Sequence, residues 1–280
     1  MSKALFLTFI SSCSILLLAV TSHADLQADK VLHYKTVERK GKTYELKLHV
    51  FNPKDHKTTA KAPCIAIFHS GGWSGGTPSK YFKICALWAR HNMVAISVEY
   101  SIRQVHNGTP FDSVADAKSA IRWIRSHADE LGIDPDRIAA GGGSAGAHVA
   151  AAAALLSEFD EKNEDQSVSS KPNALVLRSP VIDNGPDGYG YKKVKARWKE
   201  FSPVHNVSKG APPTILFVGS EEGTYISTAA AKKFRDDMKA VGSRCELHIY
   251  EGEKHGCKGA RTDINEKEVN FLISLGYIKS

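Results

Sequence analysis

The chain has 280 residues, of which 42% are hydrophobic and 24% charged, and its formal net charge is +7. This composition is typical of a globular protein and excludes a disordered or fibrous chain. The mildly basic balance favours weak attraction to anionic surfaces or polysaccharides, but it does not indicate nucleic-acid binding.

The N-terminal segment predicts a signal peptide. Lys3 provides the positive region, residues 4–20 are mostly apolar, and residues 22–24 offer small side chains for cleavage. We expect residues 1–24 to be removed, which leaves residues 25–280 as one exported domain, periplasmic or secreted, without stable membrane insertion. An N-terminal membrane anchor is the alternative, because the apolar run is nearly long enough to span a bilayer.

The rest of the chain predicts an α/β protein. Extended runs at 31–39 and 43–51, around Gly41, predict an antiparallel hairpin. Further strands are predicted at 64–68, 93–98, 137–140, 174–177, 214–218 and 246–250, and helices at 81–90, 114–131, 145–156, 228–241 and 265–275. This alternation predicts a mostly parallel central sheet flanked by helices, with the hairpin at an antiparallel edge.

Residues 184–213 form the longest stretch without a predicted strand, and they are rich in glycine and proline. A long insertion between two strands of a compact domain is often a lid or a binding loop. We therefore expect a small lid here.

Four cysteines follow the signal segment: Cys64, Cys85, Cys245 and Cys257. Export would permit disulfides, and Cys245 with Cys257 is the first pairing to test, although free buried thiols are an open alternative. The chain contains no CxxC, HExxH, P-loop or EF-hand pattern. We therefore expect no metal and no cofactor.

Residues 142–146, with the sequence GGSAG, fit the pattern G-x-S-x-G between a predicted strand and a predicted helix. Such a sharp turn projects its serine above the sheet, and the flanking glycines remove side chains that would clash. Ser144 is therefore the candidate nucleophile.

A dinucleotide-binding loop is a competing interpretation, because Gly141, Gly143 and Gly146 also match G-x-G-x-x-G. That fingerprint usually opens a fold, whereas this match follows the third strand of the alternating series. No acidic residue ends the next predicted strand, where Leu177 is followed by Arg178. Both observations disfavour nucleotide binding.

A second motif, HSGGW at residues 69–73, follows the predicted strand 64–68. The two motifs together resemble the esterase and lipase branch of the α/β-hydrolases that carries an HGGG oxyanion loop, the hormone-sensitive-lipase-like and related carbohydrate-esterase groups. The resemblance runs from about residue 62 to the C-terminus and includes the segments 120–124, 132–138 and 143–148. It implies an α/β-hydrolase fold.

The resemblance also implies an oxyanion hole formed by the backbone N–H groups of Gly71, Gly72 and Ala145. Ser70 departs from the family, which usually has glycine at this position. Because the oxyanion hole needs only backbone groups, this departure weakens the match only slightly. The neighbouring Trp73 and the insertion are expected to shape the substrate pocket.

The order along the chain in this fold is nucleophile, acid, histidine. His255, in the segment EKHG after the last predicted strand, resembles the family histidine and would act as general base. The family's acid position falls on Glu222, since glutamate can replace aspartate there. Glu221 and Asp183 are the alternative acids. His148 is expected to pack on its helix.

The resemblance thus implies two-step acyl transfer by a serine hydrolase acting on short-chain acyl esters, with acetyl or feruloyl esters of polysaccharides as candidates. An amidase or peptidase using the same three residues is one alternative. A non-catalytic binding protein on this fold is another, because glutamate is the less usual acid.

Overall fold

The computed structural model describes residues 26–223 and 226–279, so the predicted signal peptide lies outside the described residues. Within these ranges, eight strands form one sheet: β1 Lys30–Arg39, β2 Lys42–Phe51, β3 Ala62–Phe68, β4 Val94–Val98, β5 Ile133–Gly143, β6 Ala174–Arg178, β7 Thr214–Gly219 and β8 Cys245–Tyr250. Their order in the sheet is β1-β2-β4-β3-β5-β6-β7-β8.

The sheet is mostly parallel, as the alternating pattern predicts. β1 pairs with β2, and β2 with β4, in antiparallel fashion, whereas every pairing from β4 to β8 is parallel. β3, β4 and β7 are buried along their whole length. Continuous apolar runs are typical of such central strands, because helices cover both of their faces.

The predicted hairpin is confirmed, and its turn has a local cause. Lys40 and Gly41 connect β1 to β2 with φ angles of 51° and 71°. Two successive positive φ angles match a type I′ turn, whose twist suits the two strands that it joins.

The helices of the described ranges cover both faces of the sheet: α1 Phe82–Arg90, α2 Arg103–His106, α3 Pro110–Ser126, α4 Ala128–Leu131, α5 Ala145–Leu155, α6 Tyr191–Val194, α7 Trp198–Phe201, α8 Thr228–Ala240 and α9 Arg261–Ser274. Short 3-10 helices lie at Pro78–Tyr81, Lys195–Arg197, Pro203–His205 and Lys258–Ala260. None of the helices within these ranges combines the length and the apolar character that a bilayer crossing requires.

The predicted helix 114–131 is in fact two helices with an earlier start. Thr109 caps α3: its hydroxyl accepts from the Asp112 N–H while the Asp112 carboxylate accepts from the Thr109 N–H. This reciprocal capping box allows the helix to begin at Pro110. The helix ends before His127, and α4 follows as a single turn.

The insertion 184–213 contains α6, α7 and two of the 3-10 helices. It is anchored to α5 by Phe201, which is fully buried and whose carbonyl oxygen lies 3.1 Å from His148 Nε2. Ser202 adds a second anchor, because its hydroxyl donates to the Ile182 carbonyl at 3.1 Å. The segment is therefore held against the domain at Phe201 and Ser202.

The four cysteines of the described ranges are all free and buried. Burial raises the pKa of the Cys245 thiol to about 12 and that of Cys257 to about 11. Because both cysteines are free, the Cys245–Cys257 disulfide that export would permit is not formed in this structure.

Candidate active site

Ser144 occupies a strained turn between β5 and α5. Its φ and ψ angles are 56° and −122°, a region that non-glycine residues rarely adopt. Gly146 allows this turn to lie against the end of the neighbouring strand β3, because a Cβ there would be 2.0 Å from the Phe68 carbonyl oxygen. The Ser144 N–H donates to the Arg178 carbonyl at 2.9 Å, which fixes the turn on β6.

The turn holds the Ser144 hydroxyl beside an imidazole. Ser144 Oγ lies 2.9 Å from His255 Nε2, and His255 Nδ1 lies 2.5 Å from Glu222 Oε2. A carboxylate only accepts hydrogen bonds, so Nδ1 carries the proton and the Nε2 lone pair faces the hydroxyl. The arrangement can withdraw the hydroxyl proton while the carboxylate stabilises the resulting imidazolium.

The Glu222 side chain is buried and is held in place by two hydrogen bonds to the same carboxylate oxygen. Its side chain has no exposed area, and Oε1 accepts from Ser179 Oγ at 2.6 Å and from the Gly219 N–H at 2.9 Å. The two alternative acids lie elsewhere. Asp183 Oδ1 accepts from the Gly185 N–H, and Glu221 is exposed.

The candidate oxyanion loop contains three successive residues with positive φ, Gly71 at 143°, Gly72 at 60° and Trp73 at 58°. A Cβ on Gly71 would lie 1.9 Å from the Gly75 carbonyl oxygen, so glycine is required there. The Gly71 carbonyl accepts from the N–H groups of Ser74 and Gly75, each at 3.0 Å. These bonds polarise the peptide that carries the Gly72 N–H and strengthen it as a donor.

Ala145 is the first residue of α5. Its N–H lies at a helix N-terminus, where backbone donors lack intrahelical acceptors and the helix dipole favours negative charge. The sequence-predicted donors therefore belong to a loop and a helix start that flank Ser144.

The insertion contacts the oxyanion loop directly. Lys193 Nζ donates to the Gly72 carbonyl at 2.8 Å and lies 5.5 Å from the centre of the Trp73 ring. Trp73 itself is 1% exposed and packs against Tyr189 and Phe201. The buried Trp73 ring therefore supports Tyr189, a residue that lines the cavity beside the Glu222 loop.

A cavity of about 330 Å³ lies beside the Glu222 loop. Its lining includes Ile182, Asp183, Tyr189, Gly223 and Ile226. Tyr189 also contacts the ring of Trp73, the residue that follows Gly72. Across the described part of the chain, no group of three or more His, Cys, Asp or Glu side chains is arranged to hold a metal ion.

Two further histidines near the site are structural and neutral. His69 stacks on Tyr100, and burial lowers its pKa to about 4. Burial likewise lowers the pKa of His148 to about 3. His148 packs between Trp73 and Phe201, in line with the expected helix-packing role.

The fold has close counterparts among known proteins. Residues 48–186 match the BD-FAE family. A thermophilic esterase, Est2, from the planctomycete Thermogutta terrifontis, described as propionate bound, matches with 35% identity and a TM-score of 0.83 over 90% of this chain and 96% of that chain. The chain belongs to the esterase family of the α/β-hydrolases.

A second structure of the same esterase and two curated relatives extend the comparison. Thermogutta terrifontis esterase 2 phosphorylated by paraoxon matches with 35% identity and a TM-score of 0.83, covering 90% of this chain and 95% of that one. A probable isoprenylcysteine alpha-carbonyl methylesterase of Arabidopsis thaliana is 27% identical over 75% of this chain and 48% of its own length. Esterase LipC of Mycobacterium tuberculosis is 26% identical over 77% and 58%. The chain spans about half the length of the curated relatives that it matches.

Two residues of this family member's site were not predicted from its sequence. Ser179, just after β6, has a φ of 43° and contacts Glu222, which lies 43 residues further along the chain. Lys193 reaches Gly72 across a separation of 121 residues. No local pattern indicates either contact, because each depends on how the sheet brings distant loops together.

Proposed function

We propose that this chain is a serine carboxylesterase that hydrolyses short-chain acyl esters. The observation that carries the proposal is the series of hydrogen bonds from Ser144 to His255 and from His255 to Glu222, at 2.9 and 2.5 Å. Nucleophile, base and orienting acid follow each other in the order that the chemistry requires. We assign these three residues to the three roles.

In the first half of the reaction, Ser144 Oγ attacks the ester carbonyl and its proton moves to His255 Nε2. The carbonyl electron pair moves onto oxygen, where the N–H groups of Gly72 and Ala145, with Gly71, stabilise the charge. The intermediate then collapses, the bond to the alcohol oxygen breaks, and the imidazolium gives its proton to the leaving alcohol. An acyl-serine remains.

In the second half, water attacks the acyl-serine carbonyl and gives a proton to His255. Collapse of the second intermediate breaks the bond to Ser144 Oγ, which recovers the proton from the imidazolium, and the carboxylic acid leaves. Throughout, Glu222 keeps its charge and stabilises the imidazolium form.

One observation supports a short acyl group. Thermogutta terrifontis Est2 is described as propionate bound and as butyrate bound. Acetyl and feruloyl esters of polysaccharides are the substrate class to test alongside simple alkyl esters.

The test is a substrate panel with matched leaving groups. We expect the acetyl and butyryl nitrophenyl esters to be hydrolysed faster than the octanoyl ester, and the matching butyryl anilide to be cleaved far more slowly. Feruloyl esters and acetylated xylan complete the panel. Rapid anilide cleavage would indicate an amidase, and no turnover of any ester would indicate a binding protein.

We also propose that the protein is exported. The support is the sequence before the described residues, where Lys3 precedes the apolar run 4–20 and small residues follow at 22–24. Expression of the full chain in a bacterium, fractionation, and mass spectrometry of the N-terminus test this. Mature protein starting at Asp25 outside the cytoplasm is expected, whereas an intact N-terminus in the membrane fraction would indicate an anchor.

A further inference from the structure

The candidate oxyanion loop carries Ser70, and its hydroxyl is fully engaged. Ser70 Oγ donates to the Gly143 carbonyl at 2.8 Å and lies 2.5 Å from the Tyr81 hydroxyl. A serine hydroxyl has a single proton, and a carbonyl only accepts. Tyr81 is therefore the donor in the second bond.

These bonds join the two backbone segments of the site. Gly143 is the residue immediately before Ser144, and Ser70 is the residue immediately before Gly71. The three residues are closely packed, because a Cβ added to Gly143 would lie 2.6 Å from the Tyr81 hydroxyl and 2.9 Å from Ser70 Oγ. Glycine in place of Ser70 would leave the Gly143 carbonyl without this link.

The helix that carries Tyr81 makes the hydrogen-bonded link between Ser70 and Gly143 rigid. Tyr81 ends the 3-10 helix Pro78–Tyr81, which is fixed to β4 because the buried Ser97 hydroxyl donates to the Pro78 carbonyl at 2.9 Å. The Tyr81 hydroxyl thus reaches Ser70 from an element packed on the sheet.

We propose that Ser70 and Tyr81 are positioning residues that set the distance between the oxyanion donors and the Ser144 hydroxyl. The proposal rests on the proposed function. Neither side chain touches the reacting atoms in this account; each acts through the backbone of Gly71 and Gly143. Negative charge on the carbonyl oxygen develops only in the transition state, so misplaced donors lower kcat and leave KM nearly unchanged.

The test compares Ser70→Ala, Tyr81→Phe and the double variant on nitrophenyl butyrate. We expect kcat to fall by about tenfold to a hundredfold in Ser70→Ala, with KM within about twofold of wild type. Tyr81→Phe should show a smaller fall of the same kind. Because both side chains belong to one link, the double variant should be no slower than Ser70→Ala alone.

Thr214→Val is the matched control, since it removes a buried hydroxyl that donates to the Pro212 carbonyl at the opposite end of β7 from the acid loop. Melting temperatures and fluorophosphonate titration of active sites correct all rates for the folded fraction. Unchanged kcat in Ser70→Ala, a loss confined to KM, or an equal kcat loss in Thr214→Val would overturn the proposal. The proposed function fails separately, by absence of wild-type turnover or by full activity of Ser144→Ala.

Discussion

Ser179 Oγ donates to Glu222 Oε1 at 2.6 Å and at the same time accepts from the Gly256 N–H at 2.9 Å. One hydroxyl thus connects the buried acid with the loop that carries the imidazole. Glutamate has one more methylene than aspartate and one more torsion to fix. The clamp by Ser179 and the Gly219 N–H leaves the other carboxylate oxygen aimed at His255.

Ser179→Ala should lower kcat by about tenfold, because Glu222 loses a charge-assisted hydrogen bond and the histidine loop loses an anchor. Steady-state kinetics on nitrophenyl butyrate measure the effect. An unchanged rate would mean that the clamp does not matter to catalysis.

Replacement of the acid distinguishes Glu222 from its neighbour Glu221. Glu222→Gln should lower kcat by about a thousandfold to ten-thousandfold, because the amide favours the wrong imidazole tautomer. Glu222→Asp should lose less, although the shorter side chain cannot span the same distance. Glu221→Gln, at an exposed neighbour, is the control and should stay within about threefold of wild type. A larger loss in Glu221→Gln than in Glu222→Gln would reassign the acid.

Lys193 connects the insertion to the oxyanion loop, donating to the Gly72 carbonyl at 2.8 Å and to Ser74 Oγ at 3.3 Å. Lys193→Met should lower kcat by about tenfold through a looser loop. It should change the free energy of unfolding by less than about 1 kcal/mol, because the side chain is exposed. Lys192→Met, at the exposed adjacent residue, is the control. Equal effects of the two substitutions would exclude a specific role for Lys193.

The buried histidines predict how stability depends on pH. Burial lowers the pKa of His69 to about 4 and that of His148 to about 3, from 6.5. Below pH 6.5 these histidines take up protons in the unfolded chain but stay neutral in the folded chain. The free energy of unfolding that they contribute above pH 6.5 is therefore lost progressively as the pH falls toward 4. Each histidine contributes roughly 1.4 kcal/mol per pH unit in this window.

Urea unfolding at pH 7, 6, 5 and 4.5 measures this slope in the wild type and in His148→Gln. Carboxylates contribute the same background to both proteins, so the difference isolates His148. The variant should show a slope smaller by about one proton. Identical slopes would mean that His148 is protonated in the folded protein.

Much of the fold follows from local sequence patterns. β3, β4 and β7 are continuous apolar runs because both of their faces are covered, and they are found where the sequence predicts them. The break at His127 is harder to predict, because apolar residues continue at helical spacing on both sides of it. The short helix α2 is likewise not predicted, since four residues do not display a helical period.

Some residues of the candidate site can likewise be predicted from local sequence patterns, and others cannot. Ser144 is visible in the sequence because its turn needs glycines at fixed spacing, and His255 because it follows the last strand. Ser179 and Lys193 have no such signal. Their importance comes from contacts with Glu222 and Gly72 that only the assembled sheet and the packed insertion create.

The most direct test of the account is covalent labelling of the folded, full-length protein with a fluorophosphonate, followed by peptide mapping and ester turnover on the same sample. The account predicts one adduct per chain, on Ser144, with activity lost in proportion to labelling. It also predicts that kcat of Ser144→Ala falls by about a millionfold. Labelling at another residue, or substantial ester turnover by Ser144→Ala, would contradict it.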